Sequence, residues 1–320
     1  MTNDEQTLRL LTPTATDFVE VAVLERDGIV ESRHRGIAAL VGPDGKVIAH
    51  RGSAKRLVYP RSAIKPIQVV AMQRAGMKLT GAQLVITAAS HQATPAHQLL
   101  VEQVLASVGL NPDALQCPVA WPGNFDARAG AAGQTRVAFN CSGKHAGFLA
   151  ATVAAGWDTA TYLQLDHPIQ QLTKTLLEEY SGERILKTTV DGCGAPLHLM
   201  TVSGIATAMG RFVANHPDIV AEMLEYPWVI GDISTPDAIF MGEGIAAKLG
   251  AEGVFVAGLA DGHGVAVKIA DGSLRAAPLV ALKLLHDAGL VSDEVNERLL
   301  ERLAVHSMGG SVSLGVLSAI

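Results

Sequence analysis

Residues 36–50 read GIAALVGPDGKVIAH, in which two runs of small and branched apolar residues flank Pro43-Asp44-Gly45. Pro-Asp-Gly between two such runs predicts a β-hairpin, because these residues favour the backbone conformations of a tight turn. Before it, Phe18–Glu25 alternates apolar and polar residues, as is typical of a strand with one buried face. An antiparallel sheet is therefore expected early in the chain.

Helical patterns follow this predicted sheet. Ala63–Ala75 carries apolar residues at helical spacing, and several more helices are expected between Pro95 and Leu177. Pro196–Ala214 and Pro217–Tyr226 are also predicted to be helical, since proline is favoured in the first turn of a helix.

Strand character returns at Gly253–Ala257 and Gly264–Ile269, before two amphipathic helices near Leu279–Ala288 and Asp293–Ala304 and a glycine-rich tail. This order predicts an α+β fold with a mixed or antiparallel sheet flanked by helices, and it does not fit alternating βαβ units. We expect residues 1–320 to form a single catalytic unit. A helical subdomain at approximately 92–190 would be inserted between the two halves of the sheet.

The composition excludes several classes of protein. The chain has 320 residues, of which 48% are hydrophobic and 18% charged, so it can bury a sizeable core. A net charge of −6 argues against a nucleic-acid partner, which would normally require a basic face. Three cysteines cannot build a disulfide framework, which fits a reducing compartment. Because neither a secretory signal nor a membrane span is evident, we expect a cytoplasmic protein without a membrane partner.

The first candidate for catalysis is the Ser-x-x-Lys motif of Ser62 and Lys65. This spacing places the two side chains one helical turn apart on the same face. A partly desolvated lysine in that position can lose its proton and act as a base toward the serine hydroxyl. The alternative is a serine that caps a helix beside a solvated lysine.

Two further candidates are Ser90, within Ala89-Ser90-His91, and Lys268 on a predicted strand. Adjacent residues do not face each other on a helix, so His91 does not obviously activate Ser90, and a capping serine is the alternative. In penicillin-recognising serine hydrolases a strand lysine lies across from the Ser-x-x-Lys helix. For Lys268 the alternative is a lysine that protects an edge strand from aggregation.

Two cysteine motifs point to a metal site. One is Asn140–Gly147, in which Lys144 and His145 lie within one helical turn of Cys141, and the other is Asp191–Pro196, in which glycines flank Cys193. Two thiolates and one nitrogen could hold a zinc ion with water in the fourth position. The alternative is a pair of buried, inert thiols.

Taken together, the motifs resemble those of the rhizobial-type (class 3, thermolabile) L-asparaginase II family. The four motifs that carry the resemblance are PRSAIKPIQ at Pro60–Gln68, ASH at Ala89–His91, NCSGKHAGFL at Asn140–Leu149 and DGCGAP at Asp191–Pro196. The resemblance implies a serine β-lactamase/glutaminase-like fold, a homodimer, and hydrolysis of L-asparagine to L-aspartate and ammonia.

The resemblance also implies two Ser-Lys pairs, one of Ser62 with Lys65 and a second, nearby, of Ser90 with Lys268. In the mechanism that we favour, neutral Lys65 deprotonates Ser62, which then attacks the side-chain amide carbon. Ser90 is the alternative nucleophile.

Six further residues are implied at the site. Three of them, Cys141, Lys144 and Cys193, would bind one zinc ion per chain, and three, Arg61, His145 and Asp191, would line the substrate pocket.

Two other functions stay open at this point. After Ser90-His91 the chain continues Gln92-Ala93-Thr94, where the family tends to read Ser-Gly-Glu. A related amidase or glutaminase is therefore one alternative, and a non-catalytic amino-acid-binding homologue is the other.

Overall fold

The structure of the chain, a computed structural model, describes residues 3–320. Within this range twelve strands form one eight-stranded sheet and two two-stranded sheets, and all their pairings are antiparallel. The strands are β1 (Val19–Arg26), β2 (Ile29–Val41), β3 (Val47–Arg51), β4 (Leu57–Val58), β5 (Thr188–Val190), β6 (Pro196–His198), β7 (Met200–Thr201), β8 (Ala246–Gly250), β9 (Val254–Gly258), β10 (Gly264–Ile269), β11 (His306–Gly309) and β12 (Val312–Ala319).

The large sheet is organised around the long strand β2. Its strand order is β11-β12-β1-β2-β10-β9-β8, and β3 also pairs with the second half of β2. The predicted hairpin at Pro43-Asp44-Gly45 is confirmed: it joins β2 to β3, with Gly45 at a φ of 78°. The smaller sheets pair β4 with β7 and β5 with β6.

Thirteen α-helices and three short 3₁₀ helices complete the described part of the chain. The 3₁₀ helices are Ala15–Asp17, Arg61–Ile64 and Pro112–Ala114. The α-helices are α1 (Asn3–Leu11), α2 (Lys65–Arg74), α3 (Gly81–Ile86), α4 (Pro95–Ala106), α5 (Phe125–Ala129), α6 (Ser142–Ala154), α7 (Pro168–Ser181), α8 (Val202–Asn215), α9 (Pro217–Glu225), α10 (Pro227–Ile230), α11 (Pro236–Met241), α12 (Ala277–Asp287) and α13 (Asp293–Leu303).

Helices cover both faces of the large sheet. Along β2, Ile37, Ala39 and Val41 belong to the core shared with helices such as α2, α6 and α8, whereas Ala38 and Leu40 belong to the core under α12 and α13. Side chains alternate between the two faces of a strand, so an uninterrupted apolar run is what a doubly covered strand requires. The α+β class that the sequence predicts is therefore confirmed, with an antiparallel sheet.

One expectation about secondary structure is wrong. Pro196–Thr201 was expected to be helical but forms β6 and β7, and the helix begins only at Val202, where Thr201 Oγ1 accepts a hydrogen bond from Gly204 N at 2.9 Å. A short apolar run does not distinguish a buried strand from a helix, which explains the error. The glycine-rich tail also folds, as β11 and β12, and β12 covers the edge of β1.

The helices between β3 and β8 extend from residue 61 to residue 241, a wider interval than the 92–190 expected for an inserted subdomain. The division into a sheet and an inserted subdomain stays a prediction. None of the helices described is long and apolar enough to cross a membrane.

One buried ion pair was not predicted. Lys248 Nζ on β8 donates to Asp237 Oδ2 on α11 at 3.0 Å, and both side chains are 0% exposed. Leu249 N donates to the same carboxylate oxygen at 3.2 Å, so the pair fastens α11 to the end of the sheet nearest the candidate site.

Candidate active site

Lys65 lies at the centre of the site. The 3₁₀ turn Arg61–Ile64 leads directly into α2, whose first residue is Lys65, and its side chain is buried. Lys65 Nζ donates to the Ala89 carbonyl oxygen and, at 3.1 Å, to Ser90 Oγ. Burial lowers the pKa of Lys65 to about 8, because removal from water disfavours the charged ammonium. This lysine is therefore easier to deprotonate than a solvated one.

The two candidate serines occupy different positions around this lysine. Ser62 is half-buried and lines a cavity of about 530 Å³. Ser90 is buried, its backbone N–H donates to Ile230 O at 2.8 Å, and its hydroxyl receives the lysine hydrogen bond. The structure thus brings Lys65 to Ser90, whereas the sequence led us to expect Ser62 as its partner.

The three predicted zinc ligands also come together. Cys141 directly precedes α6, Lys144 lies in the first turn of this helix, and Lys144 Nζ donates to Cys193 Sγ at 3.0 Å. Cys193 sits in a tight turn in which Gly194 has a φ of 89°, a conformation that favours glycine. Cys141 and Cys193 hydrogen-bond to each other although they come from distant segments.

The pKa values of Cys141 and Cys193 are shifted in opposite directions. The hydrogen bond from Cys193, followed by the nearby ammonium groups of Lys65 and Lys144, holds the pKa of Cys141 well below its usual value. The same contact with Cys141, together with burial, raises the pKa of Cys193. Of these two neighbouring thiols, Cys141 is therefore the easier one to deprotonate.

The residues present fit the zinc site that the family implies. Two sulfur atoms and one amine are adjacent, and sulfur and nitrogen donors suit this metal. The neighbouring Cys193 and Cys141 raise the pKa of Lys144 despite its burial, so a metal ion would have to displace a proton from this amine. Among residues 3–320, no group of three His, Cys, Asp or Glu side chains is arranged to hold a metal, so the predicted set depends on the lysine.

Arg61 and Asp191 form an ion pair at the edge of the cavity. Arg61 Nε donates to Asp191 Oδ1 at 2.7 Å, and Arg61 adopts a φ of 53°, which is uncommon for a residue other than glycine. Although burial opposes ionisation, Arg61 and Lys144 keep the pKa of Asp191 below its usual value. Both residues line the 530 Å³ cavity, and their role in substrate binding stays a prediction.

The resemblance implies that Lys268 pairs with Ser90. Lys268 lines a second cavity of about 600 Å³, and its ammonium group donates to the backbone carbonyl oxygens of Glu252 and Ile269. Ser90 Oγ accepts a hydrogen bond from Lys65 instead, and a pairing of Ser90 with Lys268 stays a prediction.

His145 is fully buried and is not among the residues that line these two cavities. Its Nδ1 shares a hydrogen bond of 2.7 Å with the Tyr162 hydroxyl, and its Nε2 has no partner among the residues described. A role for His145 in substrate binding stays a prediction.

The sequence analysis missed several residues that line the 530 Å³ cavity, among them Gln92, Trp121 and Asn140. His91, beside the candidate Ser90, also lines this cavity. The Ser142 hydroxyl donates its hydrogen to Val137 O, so in its 2.9 Å contact with His91 it is the imidazole Nε2 that donates to Ser142 Oγ. The position of Gln92 next to a candidate motif was an available signal, but no pattern in the sequence singles out Trp121.

A model of the L-asparaginase II family matches residues 22–318, which include all the site residues described above. The chain belongs to the L-asparaginase II family. This confirms the resemblance stated from the motifs, and it makes the chain an enzyme of the asparaginase type, an amidohydrolase. No curated protein matches the chain significantly in a search by similarity.

Two solved structures similar to this L-asparaginase II family member have low sequence identity to it. The native form of Mglu is 14% identical, with a TM-score of 0.44, and the match covers 81% of this chain and 66% of that chain. A β-lactamase from Mycobacterium bovis is 16% identical, with a TM-score of 0.35 and coverages of 79% and 94%. We draw no conclusion about function from similarities of this size.

Proposed function

We propose that this L-asparaginase II family member hydrolyses L-asparagine to L-aspartate and ammonia, with Ser62 as nucleophile and Lys65 as base. The observation that carries the proposal is the position of Ser62. It lines a cavity, and it lies three residues before Lys65, whose side chain is buried and whose pKa is lowered by that burial. Family membership supports the amide as the bond that is broken.

In the first half of the proposed reaction, neutral Lys65 accepts the Ser62 proton while Ser62 Oγ attacks the side-chain amide carbon. Lys65 then returns the proton to the amide nitrogen, and ammonia leaves. Backbone N–H groups at the start of the helix would stabilise the oxyanion, and the loss of one such donor typically costs about 3 kcal/mol. In the second half, water hydrolyses the acyl-enzyme and releases L-aspartate.

Ser90 is the second candidate for the nucleophile, favoured by its hydrogen bond to Lys65 at 3.1 Å. In the assignment that we prefer, Ser90 is a positioning residue that orients the lysine amine through this hydrogen bond. Single replacements of each serine separate these roles, because only the nucleophile is needed to form the covalent intermediate.

The charged residues around the cavity have supporting roles in the proposal. Arg61 and Lys268 are the cations available for the substrate carboxylate, and Asp191 fixes the guanidinium of Arg61. A zinc ion held by Cys141, Lys144 and Cys193 would supply Lewis acidity or brace the two loops that carry the cysteines.

A screen for ammonia release from L-asparagine, L-glutamine and simple amides, with and without a chelator, tests the proposal. We expect asparagine to have the highest kcat/KM. A preference for glutamine or another amide would favour the related amidase, and no ammonia from any amide would favour the non-catalytic amino-acid-binding homologue.

A further inference from the structure

The two cavities of the site are neighbours. The 530 Å³ cavity that contains Ser62 and the 600 Å³ cavity that contains Lys268 have Arg61, Asp191 and Gly192 as common lining residues. The Arg61–Asp191 ion pair therefore stands where one cavity meets the other.

The second cavity has a different chemistry from the first. Its walls are mostly apolar, and the residues that form them include Phe18, Leu57, Val58, Tyr59, Leu197 and Leu199. Val190, at 68% exposure, also lines it. A concave, mainly apolar surface with a few polar groups is typical of a ligand site. Asparagine itself carries no apolar group that would use such a surface.

The charges at this boundary favour a particular kind of substrate. Lys268 gives its two described hydrogen bonds to backbone carbonyl oxygens, so a third ammonium hydrogen is available for a ligand carboxylate. Asp191 is already paired with Arg61 at 2.7 Å, so it is poorly placed to balance the positive charge of an α-ammonium group as well. An uncharged, acylated α-nitrogen would need no such partner.

We propose that the second cavity is an acyl subsite, and that N-acylated asparagines with an apolar acyl chain are better substrates than asparagine. This inference rests on the proposed function. The side-chain amide would reach Ser62, the α-carboxylate would lie toward Lys268, and the acyl chain would occupy the apolar walls. The reaction remains amide hydrolysis, and the products are the N-acyl-aspartate and ammonia.

Calorimetric binding of N-octanoyl-L-aspartate and N-acetyl-L-aspartate to the full chain tests the subsite without requiring catalysis. We expect the Kd of the octanoyl compound to be at least tenfold lower, because the longer chain buries more apolar surface. Val190→Trp should reduce this ratio toward one by filling the cavity. Val312→Trp is the matched control, since Val312 is also exposed but lies on β12 and does not line the cavity. It should keep the ratio.

Equal Kd values for the two compounds in the wild-type chain would overturn the inference, and this result does not depend on whether the variants fold. A Kd ratio in folded Val190→Trp that is as large as in the wild-type chain would overturn it as well. Hydrolysis of asparagine and of its N-octanoyl derivative is measured on the same preparation. If hydrolysis is absent from asparagine and from its N-octanoyl derivative while the binding ratio holds, the proposed function and the substrate claim fail, and the acyl subsite alone stands. If hydrolysis is present and the ratio is one, only the subsite fails.

Discussion

The ammonium group of Lys65 contacts groups from two distant segments, Ala89 and Ser90 after α3 and Cys141 before α6. Cys141 in turn contacts Cys193, which Lys144 also binds. One continuous chain of polar contacts therefore joins the serine–lysine group to the predicted zinc ligands. A change at either end is expected to affect the other.

The metal prediction belongs to these residues. We predict one zinc ion per chain in protein purified without chelator, and loss of the metal in Cys141→Ser and Cys193→Ser, because thiolates are the strongest zinc ligands of the set. Elemental analysis measures the content. Cys117→Ser is the matched control, since Cys117 is buried but hydrogen-bonds to Arg136 O outside the cluster, and it should keep full occupancy.

Wild-type protein that holds no zinc after incubation with the metal would contradict this prediction. Full occupancy in both cysteine variants would do so as well. In either case the cysteines would be packed thiols, the alternative that the sequence left open.

At the residue scale the sequence indicates which residues meet, but less well how they are paired. The resemblance implies that Ser62, Lys65, Cys141 and Cys193 belong to one site, and in the structure Ser62, Cys141 and Cys193 line the same cavity while Lys65 lies beside Cys141. The pairing of Lys65 with Ser90 could not be predicted, because it depends on how the turn after α3 packs against α2. Ser62 also lies in a 3₁₀ turn rather than in the α-helix that the spacing argument assumes.

At the level of elements, the start of α6 and the end of α3 approach each other very closely. A Cβ atom on Gly143 would lie 2.1 Å from Ile86 O, so only glycine fits at this contact. The approach brings the turn that contains Ser90 to the segment that contains Cys141.

We expect Gly143→Ala to lower the free energy of unfolding by about 1–3 kcal/mol, the usual cost of forcing extra volume into a packed interior. Denaturant titration measures the change. Gly133→Ala is the control, because nothing lies within 4 Å of a Cβ at that position, and its effect should stay within about 0.5 kcal/mol. Equal effects of the two replacements would show that the contact between α3 and α6 is not tight.

The buried pair of Asp237 and Lys248 makes a second prediction about elements. Lys248→Met should cost about 3–5 kcal/mol, because it leaves the Asp237 carboxylate buried without its partner. The double replacement Asp237→Leu with Lys248→Met should recover most of that loss. If the double variant is less stable than the single one in the same titration, the explanation by an unpaired buried charge is wrong.

Elements that their own residues specify were predicted well, whereas strands that form through pairing with another segment were not. Pro43-Asp44-Gly45 specifies a turn through its own residues, so the hairpin of β2 and β3 could be predicted. The Pro196–Thr201 segment is extended because β6 pairs with the neighbouring β5, and β7 pairs with β4, which is distant in the chain. A tertiary pairing of this kind leaves no periodic signal in so short a run.

At the scale of the whole molecule, the site lies where the helical layer meets one face of the large sheet. The 3₁₀ turn before α2, the segment that leads into α6 and the turns after α3 and β5 surround the first cavity, and β10 supplies Lys268 to the second. The sequence predicts the two sheet halves and the helices between them. It does not predict the second cavity, whose apolar walls come from segments distant in the chain.

The homodimer implied by the family resemblance is a prediction at this scale. Sedimentation equilibrium of the purified protein should give a mass about twice the 33.5 kDa of one chain. A single species of one-chain mass across the concentration range would contradict it.

The measurement that tests the central claim most directly is kcat for ammonia release from asparagine by Ser62→Ala, Lys65→Ala, the double variant and Ser90→Ala. We predict that Ser62→Ala and Lys65→Ala each retain less than about a tenth of wild-type kcat, a barrier increase above about 1.4 kcal/mol. The double variant should be little worse, because the two residues act as a unit. Circular dichroism checks that each variant is folded. A folded Ser62→Ala enzyme with more than a tenth of wild-type kcat would contradict the account, and loss of activity in Ser90→Ala alone would assign the nucleophile to Ser90.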